Sequence, residues 1–131
     1  MKMIMAAVFS LVFVLSTTQS YAKSRSLAGS WKGGGSFTSA SGTREKTRCR
    51  ATVRAHKYGK YSVYARCSVA SIGLLKQSGI VKTVGKNRYR GNFSNTEYGI
   101  HGSISIVVKG NRQYITLRSP EGGGNLVLRR R

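Results

Sequence analysis

Two cysteines, two histidines, three glutamates and twenty-three Lys or Arg residues carry whatever chemistry this 131-residue chain performs. Glu45, Glu97 and Glu121 fall at or near turns and strand ends, and neither His56 nor His101 has an acid and a nucleophile close by in sequence. General acid–base and nucleophilic catalysis both need such groups within hydrogen-bond reach of one another. The pattern points away from an enzyme, and no catalytic residue is assigned. Cys49 and Cys67 do not form a Cys-x-x-Cys motif, and the histidines are not at ligand spacing. A structural disulfide is therefore expected, with no metal and no cofactor. The Gly33-Gly34-Gly35 run is not a phosphate loop, because no Gly-Lys-Ser/Thr follows it.

The cysteines fix a hairpin. Thr47, Cys49, Ala51, Val53 and Ala55 alternate with Arg48, Arg50, Thr52 and Arg54; Tyr61, Val63, Ala65, Cys67 and Val69 alternate with Lys60, Ser62, Tyr64, Arg66 and Ser68. Alternation with period two marks half-buried antiparallel strands. Placing Cys49 opposite Cys67 sets Val53 against Val63, Ala51 against Ala65 and His56 against Lys60, and leaves the loop Lys57-Tyr58-Gly59. Three-residue loops commonly end at positive φ, where glycine costs least. A slip of one residue would move both cysteines among the arginines.

The outward face of that hairpin is the candidate functional surface. It would carry Arg48, Arg50, Arg54, Lys60 and Arg66 together with Tyr64, extended by Arg88 and Arg90, with Arg129 to Arg131 ending the chain. Arginine grips phosphate and carboxylate through paired hydrogen bonds, and a tyrosine among the cations offers a ring for stacking. An outward strand face must be polar, so a merely solvated basic exterior is the plain alternative. Solvated faces ordinarily mix signs, however, and this one has no acids. The expected partner is an anionic polymer or membrane surface: lipopolysaccharide, acidic polysaccharide or lipid headgroups. Nucleic acid would be bound without specificity.

The elements that position these residues are all strands. Lys2 followed by the apolar run Ile4 to Leu15 and by Ser20-Tyr21-Ala22 reads as a signal peptide over 1–22, too short in its apolar core to span a membrane comfortably. Export to a periplasm or to the exterior permits the disulfide. Cleavage would remove one cation, lowering the net charge from +20 to +19 and leaving a single domain over 23–131. After a short basic tail over 23–27, Trp31 opens the first strand, Thr38 to Thr43 is a turn, and the cystine hairpin follows. Ala70 to Gly73 turns into a fourth strand, Leu74 to Val84, whose inward side the sequence leaves open. Val84 to Asn87 turns that strand back into one with Tyr89, Gly91 and Phe93 on one face. Tyr98, Ile100, Gly102, Ile104, Ile106 and Val108 form one apolar face. The Gly110-Asn111 turn sets Ile106 against Ile115 and Ile104 against Leu117. Pro120 to Gly124 is the last turn, and Asn125 to Arg131 closes the chain with Leu126 and Leu128 inward. Eight short strands in tight succession predict an all-β, eight-stranded, antiparallel up-and-down barrel, a monomer with no exposed sheet edge.

The segment Leu27-Ala28-Gly29-Ser30-Trp31 resembles the Gly-x-Trp start of the first strand in calycins: lipocalins, fatty-acid-binding proteins and avidins. Small bacterial protease inhibitors of similar fold also begin Leu-x-Gly-x-Trp and carry one disulfide. The mature chain is similar, too, to small exported proteins of alphaproteobacteria. The resemblance implies a calycin-like barrel in which a last-strand arginine packs over Trp31. Gly29, Trp31 and Arg129 (or its neighbour Arg130) are the residues it marks. Two further readings follow from it. A small apolar ligand would sit inside the barrel, although Ala51, Ala55 and Ala65 line a narrow interior that Ile104, Ile106, Ile115 and Leu117 can fill. Alternatively, the segment Lys23 to Ala28 would inhibit a secreted hydrolase.

Overall fold

A computed structural model describes residues 27–131. The expected signal peptide and residues 23–26 lie outside that range. Eight strands follow in order: β1 (Gly29–Ser39), β2 (Arg44–Ala55), β3 (Lys60–Val69), β4 (Gly73–Gly85), β5 (Arg88–Asn95), β6 (Ile100–Lys109), β7 (Arg112–Ser119) and β8 (Gly122–Arg130). Each pairs antiparallel with its chain neighbours, and β8 pairs with β1 to close the barrel. The expected architecture is the one observed.

Local sequence explains the hairpins. Cys49 pairs with Cys67, Ala51 with Ala65 and Val53 with Val63, and the disulfide is formed. The loop Lys57–Gly59 is a 3-10 turn with Gly59 at φ 68°. Tyr58 also takes a positive φ, 63°, which the sequence did not signal. The turn at Gly110 sets Ile106 against Ile115 and Ile104 against Leu117, as the sequence predicts.

Several turns are tighter than expected, because strand pairing runs further into them. β1 continues to Ser39, and β8 begins at Gly122, so only Pro120 and Glu121 remain of the last turn. Tyr98 belongs to the turn before β6 and is exposed, not part of its apolar face. The open question on β4 is resolved: Leu75, Gln77 and Val81 point inward.

Two glycines of the triplet act at the closing seam. A Cβ on Gly33 would run into the backbone oxygen of Val127, and one on Gly35 into that of Asn125. Only side-chain-free positions let β8 approach β1 this closely.

Most of the interior is filled. Trp31, Ile106, Leu128 and Val81 are fully enclosed, with the disulfide and Ile104, Ile115, Leu117 and Leu126 around them. Leu27, expected in a basic tail, is instead fully buried, and its carbonyl accepts a hydrogen bond from Trp31 Nε1 at 3.0 Å. This plugs the end of the barrel where the chain enters. That end also carries the β2–β3, β4–β5 and β6–β7 turns. The opposite end, carrying the β1–β2, β3–β4, β5–β6 and β7–β8 turns, is the mouth.

The arginine over the tryptophan is Arg130, not Arg129. Its guanidinium carbon lies 4.3 Å from the Trp31 ring centre, and Nη1 donates to the Ala28 carbonyl at 2.9 Å. Alternation along β8 decides the assignment: Leu126 and Leu128 face in, so Arg130 does too, and Arg129 faces solvent.

Candidate binding surface

Register places the outward cations in lines that cross the strands. The main line reads Lys109, Arg112, Arg129, Lys32, Arg50, Arg66, Lys76, each the direct cross-strand partner of the next. It crosses seven of the eight strands, from β6 through β1 to β4, with no neutral or acidic residue between, and every member is exposed. Side chains so paired have Cβ atoms about 5 Å apart, and like charges in that relation destabilise a sheet. At about 4.8 Å per strand the line is roughly 29 Å long. It starts beside the β6–β7 turn at the plugged end and finishes three residues from the β3–β4 turn at the mouth. It is therefore a diagonal stripe around the barrel.

Beside the half of the stripe on β2 to β4 lies an open trough of ≈ 1340 Å³. Its floor is two further register lines. One runs Thr52, Tyr64, Ser78, Ser94, His101; the other runs Arg54, Ser62, Ile80, Asn92. A third line, Lys60, Lys82, Arg90, forms its far bank. Between two rows of cations thus lie five small hydroxyl or amide side chains, with Arg54, Tyr64, Ile80 and His101 among them. Tyr64 is 46% exposed, and His56 Nε2 and Ser62 Oγ share a hydrogen bond of 2.9 Å at the edge.

The sequence-predicted residues divide among these features. Arg50 and Arg66 lie in the stripe, as does Arg129; Arg54, Lys60, Tyr64 and Arg90 line the trough. Arg48 and Arg88 do not join either. They belong to a different line, with Gly34, Val127, Tyr114 and Val107 between them. Their outward direction was legible from alternation, but their separation around a closed barrel was not. The structure adds Lys32, Lys76, Lys109, Arg112 and Lys82. Each hairpin register was available from its turn; the link from Arg129 to Lys32 was not, because no turn joins β8 to β1.

The acids are gathered elsewhere. Glu45 is the second residue of β2, Glu97 lies in the β5–β6 turn and Glu121 in the β7–β8 turn, all at the mouth. Glu45 accepts hydrogen bonds from the Ser71 amide and hydroxyl, at 3.2 and 2.6 Å. Glu45 and Glu121 border a cavity of ≈ 130 Å³ with Phe37, Leu75, Ile100 and Leu117. Gln77 also lines it, more than nine-tenths buried and with no hydrogen-bond partner among the described residues. Deeper inside, beside the disulfide, only ≈ 30 Å³ remains. Among the described residues no three His, Cys, Asp or Glu side chains gather as a metal site would require, and no helix is long and apolar enough to cross a membrane.

No family model matches the sequence, and no curated protein matches it. Solved structures do. A de novo designed fluorescence-activating β-barrel superposes with a TM-score of 0.63 at 13% identity, covering 82% of this chain and 96% of its own. A redesigned barrel, mFAP1, solved bound to DFHBI, gives 0.66 at 12% identity, with coverage of 82% and 97%. Another redesigned barrel, b11L5F_LGL, gives 0.65 at 10% identity, with coverage of 82% and 94%. At such identities the likeness is one of fold.

Proposed function

We propose that this is a non-enzymatic, exported binding protein whose basic surface holds an anionic component of a cell envelope: lipopolysaccharide, acidic polysaccharide or lipid headgroups. The observation that carries the reading is the unbroken register of seven cations. A solvated outer face needs polarity only, and Ser, Thr or mixed charges supply it without direct like-charge pairs. An arrangement that costs stability in the free protein is accounted for if a polyanion neutralises it on binding.

The test is binding to lipopolysaccharide, to anionic and neutral vesicles and to DNA across a salt series. Affinity for the anionic partners should fall steeply with salt, because cation–anion contacts release counterions. Replacing Arg50, Arg66 and Arg129 with Ser should weaken binding and flatten the salt slope by about three charges' worth. Replacing Lys86, Arg118 and Arg131, which lie off the stripe, should do less at the same net charge. Equal losses in the two variants would reduce the stripe to bulk charge and sink the reading.

The mouth cavity favours a second reading, a lipocalin-like carrier. Redesigned barrels of this fold bind DFHBI, and here Gln77 offers an unpaired amide to a small guest. A volume of ≈ 130 Å³ suits a single ring, as an apolar cavity of about 150 Å³ admits benzene. Such binding would survive the salt that strips polyanions. The inhibitory reading of Lys23 to Ala28 gains nothing from the described residues, since Leu27 and Ala28 are tied to the barrel by Trp31 and Arg130.

A further inference from the structure

The two halves of the stripe have different neighbours, and the difference identifies a ligand class. Over β6 to β8 the adjacent line is Val107, Tyr114 and Val127, with Tyr114 and Val127 more than one-third exposed. Over β2 to β4 the adjacent lines are the hydroxyl-rich trough.

We infer that the trough on β2 to β6 takes an acidic polysaccharide, sugar rings on the floor and acidic substituents on the two cation banks. This rests on the reading of the basic surface as a polyanion site. A bare polyanion offers acceptors only, and Lys or Arg serve it best. The stripe itself shows that this outer face accommodates unbroken cations. The trough floor has one cation, Arg54 at its β2 edge, and is otherwise mainly Thr52, Ser62, Ser78, Ser94 and Asn92. Each of these hydroxyl and amide side chains both donates and accepts, as sugar hydroxyls do. Half-exposed Tyr64 stands among them, and the negative face of its ring meets the C–H face of a pyranose favourably. The banks are set for charge. From Lys76 to Lys82 along β4, or from Arg66 to Lys60 along β3, is six residues, roughly 20 Å. That leaves room for a polymer one sugar wide, with substituents reaching either side through long, flexible cationic side chains. A lipid surface fits the floor poorly, because its one exposed aliphatic side chain, Ile80, stands among hydroxyl and amide groups.

The test compares polygalacturonate with polyacrylate of equal charge, an acid without hydroxyls, by calorimetry on the disulfide-bonded protein at fixed ionic strength. Dextran serves as the neutral polymer and phosphatidylglycerol vesicles as the lipid. Polygalacturonate should bind about tenfold more tightly than polyacrylate, the worth of one or two extra hydrogen bonds. The pair Ser78→Val and Ser94→Val keeps charge and strand preference, and should abolish that margin while leaving polyacrylate binding unchanged. Equal affinity of the two polymers in the unaltered protein overturns the inference without any variant, and leaves the polyanion reading standing. So does a margin that survives in a folded variant. Tighter binding to vesicles than to polygalacturonate, lost in Tyr114→Ser with Val127→Ser, also overturns it, in favour of lipid through β6 to β8. Failure of every anionic probe to bind removes the polyanion reading along with it.

Discussion

Arg130 and Tyr89 show what polar groups do when they pack against the aromatic core of this barrel. Arg130 lies across Trp31 at 4.3 Å, a contact in which the ring's electron-rich face attracts the cation. Tyr89 is buried and meets Tyr61 edge to face, ring centres 5.3 Å apart. Burial first, and then the charge and hydrogen bond of Tyr61, push the Tyr89 hydroxyl above its ordinary pKa of 10.0, against the pull of Arg130. The sign of the pH effect follows. Below pH 10 the phenol is neutral in folded and unfolded chains alike, so it adds no pH dependence. As pH climbs past the unfolded value of about 10, the unfolded chain gives up its proton first, and stability drains away until the folded group ionises too. Tyr89→Phe should remove that alkaline loss. Urea midpoints at pH 9, 10 and 11 check it: the two proteins should diverge progressively in favour of the variant. Parallel curves would mean that the phenol ionises equally in both states.

At the scale of elements, the register of the cystine hairpin was legible and the closing seam was not. Three local signals agreed on β2 and β3: apolar alternation, a glycine at the loop end and two cysteines in the same register. Each acts over a few residues, so each is written in the sequence nearby. The β1–β8 pairing joins residues some ninety positions apart, and no turn records it. Hence Arg50 and Arg66 were visible as neighbours, while Lys32 and Arg129 could not be seen to complete their line. The choice between Arg129 and Arg130, which the resemblance left open, has the same root. Alternation from Leu128 names the inward residue, but only the seam shows that Trp31 lies against Arg130. Because the hairpin's register is specified three times over, its disulfide should be needed for stability but not for topology. Replacing Cys49 and Cys67 together with Ser should lower unfolding free energy by about 3 kcal/mol, the chain-entropy value for a loop of this size. The strand signature in circular dichroism should persist. Loss of that signature at low temperature would show that the bond dictates the register.

For the molecule as a whole, stability and binding should respond to charge in opposite directions. The stripe sets seven like charges side by side, and no ion pair among the described residues relieves them. Adjacent members sit well inside a Debye length, which is about 10 Å at 0.1 M salt, so their repulsion is felt at ordinary ionic strength and fades as salt rises. Salt should therefore raise the urea midpoint of the free protein while it weakens polyanion binding. Arg50→Glu isolates the cause. Arg50 has Lys32 on one side and Arg66 on the other, so the change converts two repulsive pairs into attractive ones. Each cross-strand pair of this kind contributes about 0.2–1 kcal/mol, and the variant should gain roughly 1 kcal/mol in low salt and little at 1 M. The same variant should bind polygalacturonate and lipopolysaccharide more weakly, since it interrupts the run of cations between Lys32 and Arg66. A gain in stability coupled to a loss of binding is what a surface kept for function produces. A variant neither more stable nor weaker in binding would make the cations independent, solvated side chains, and the register of the seven a coincidence of eight outward-facing strands.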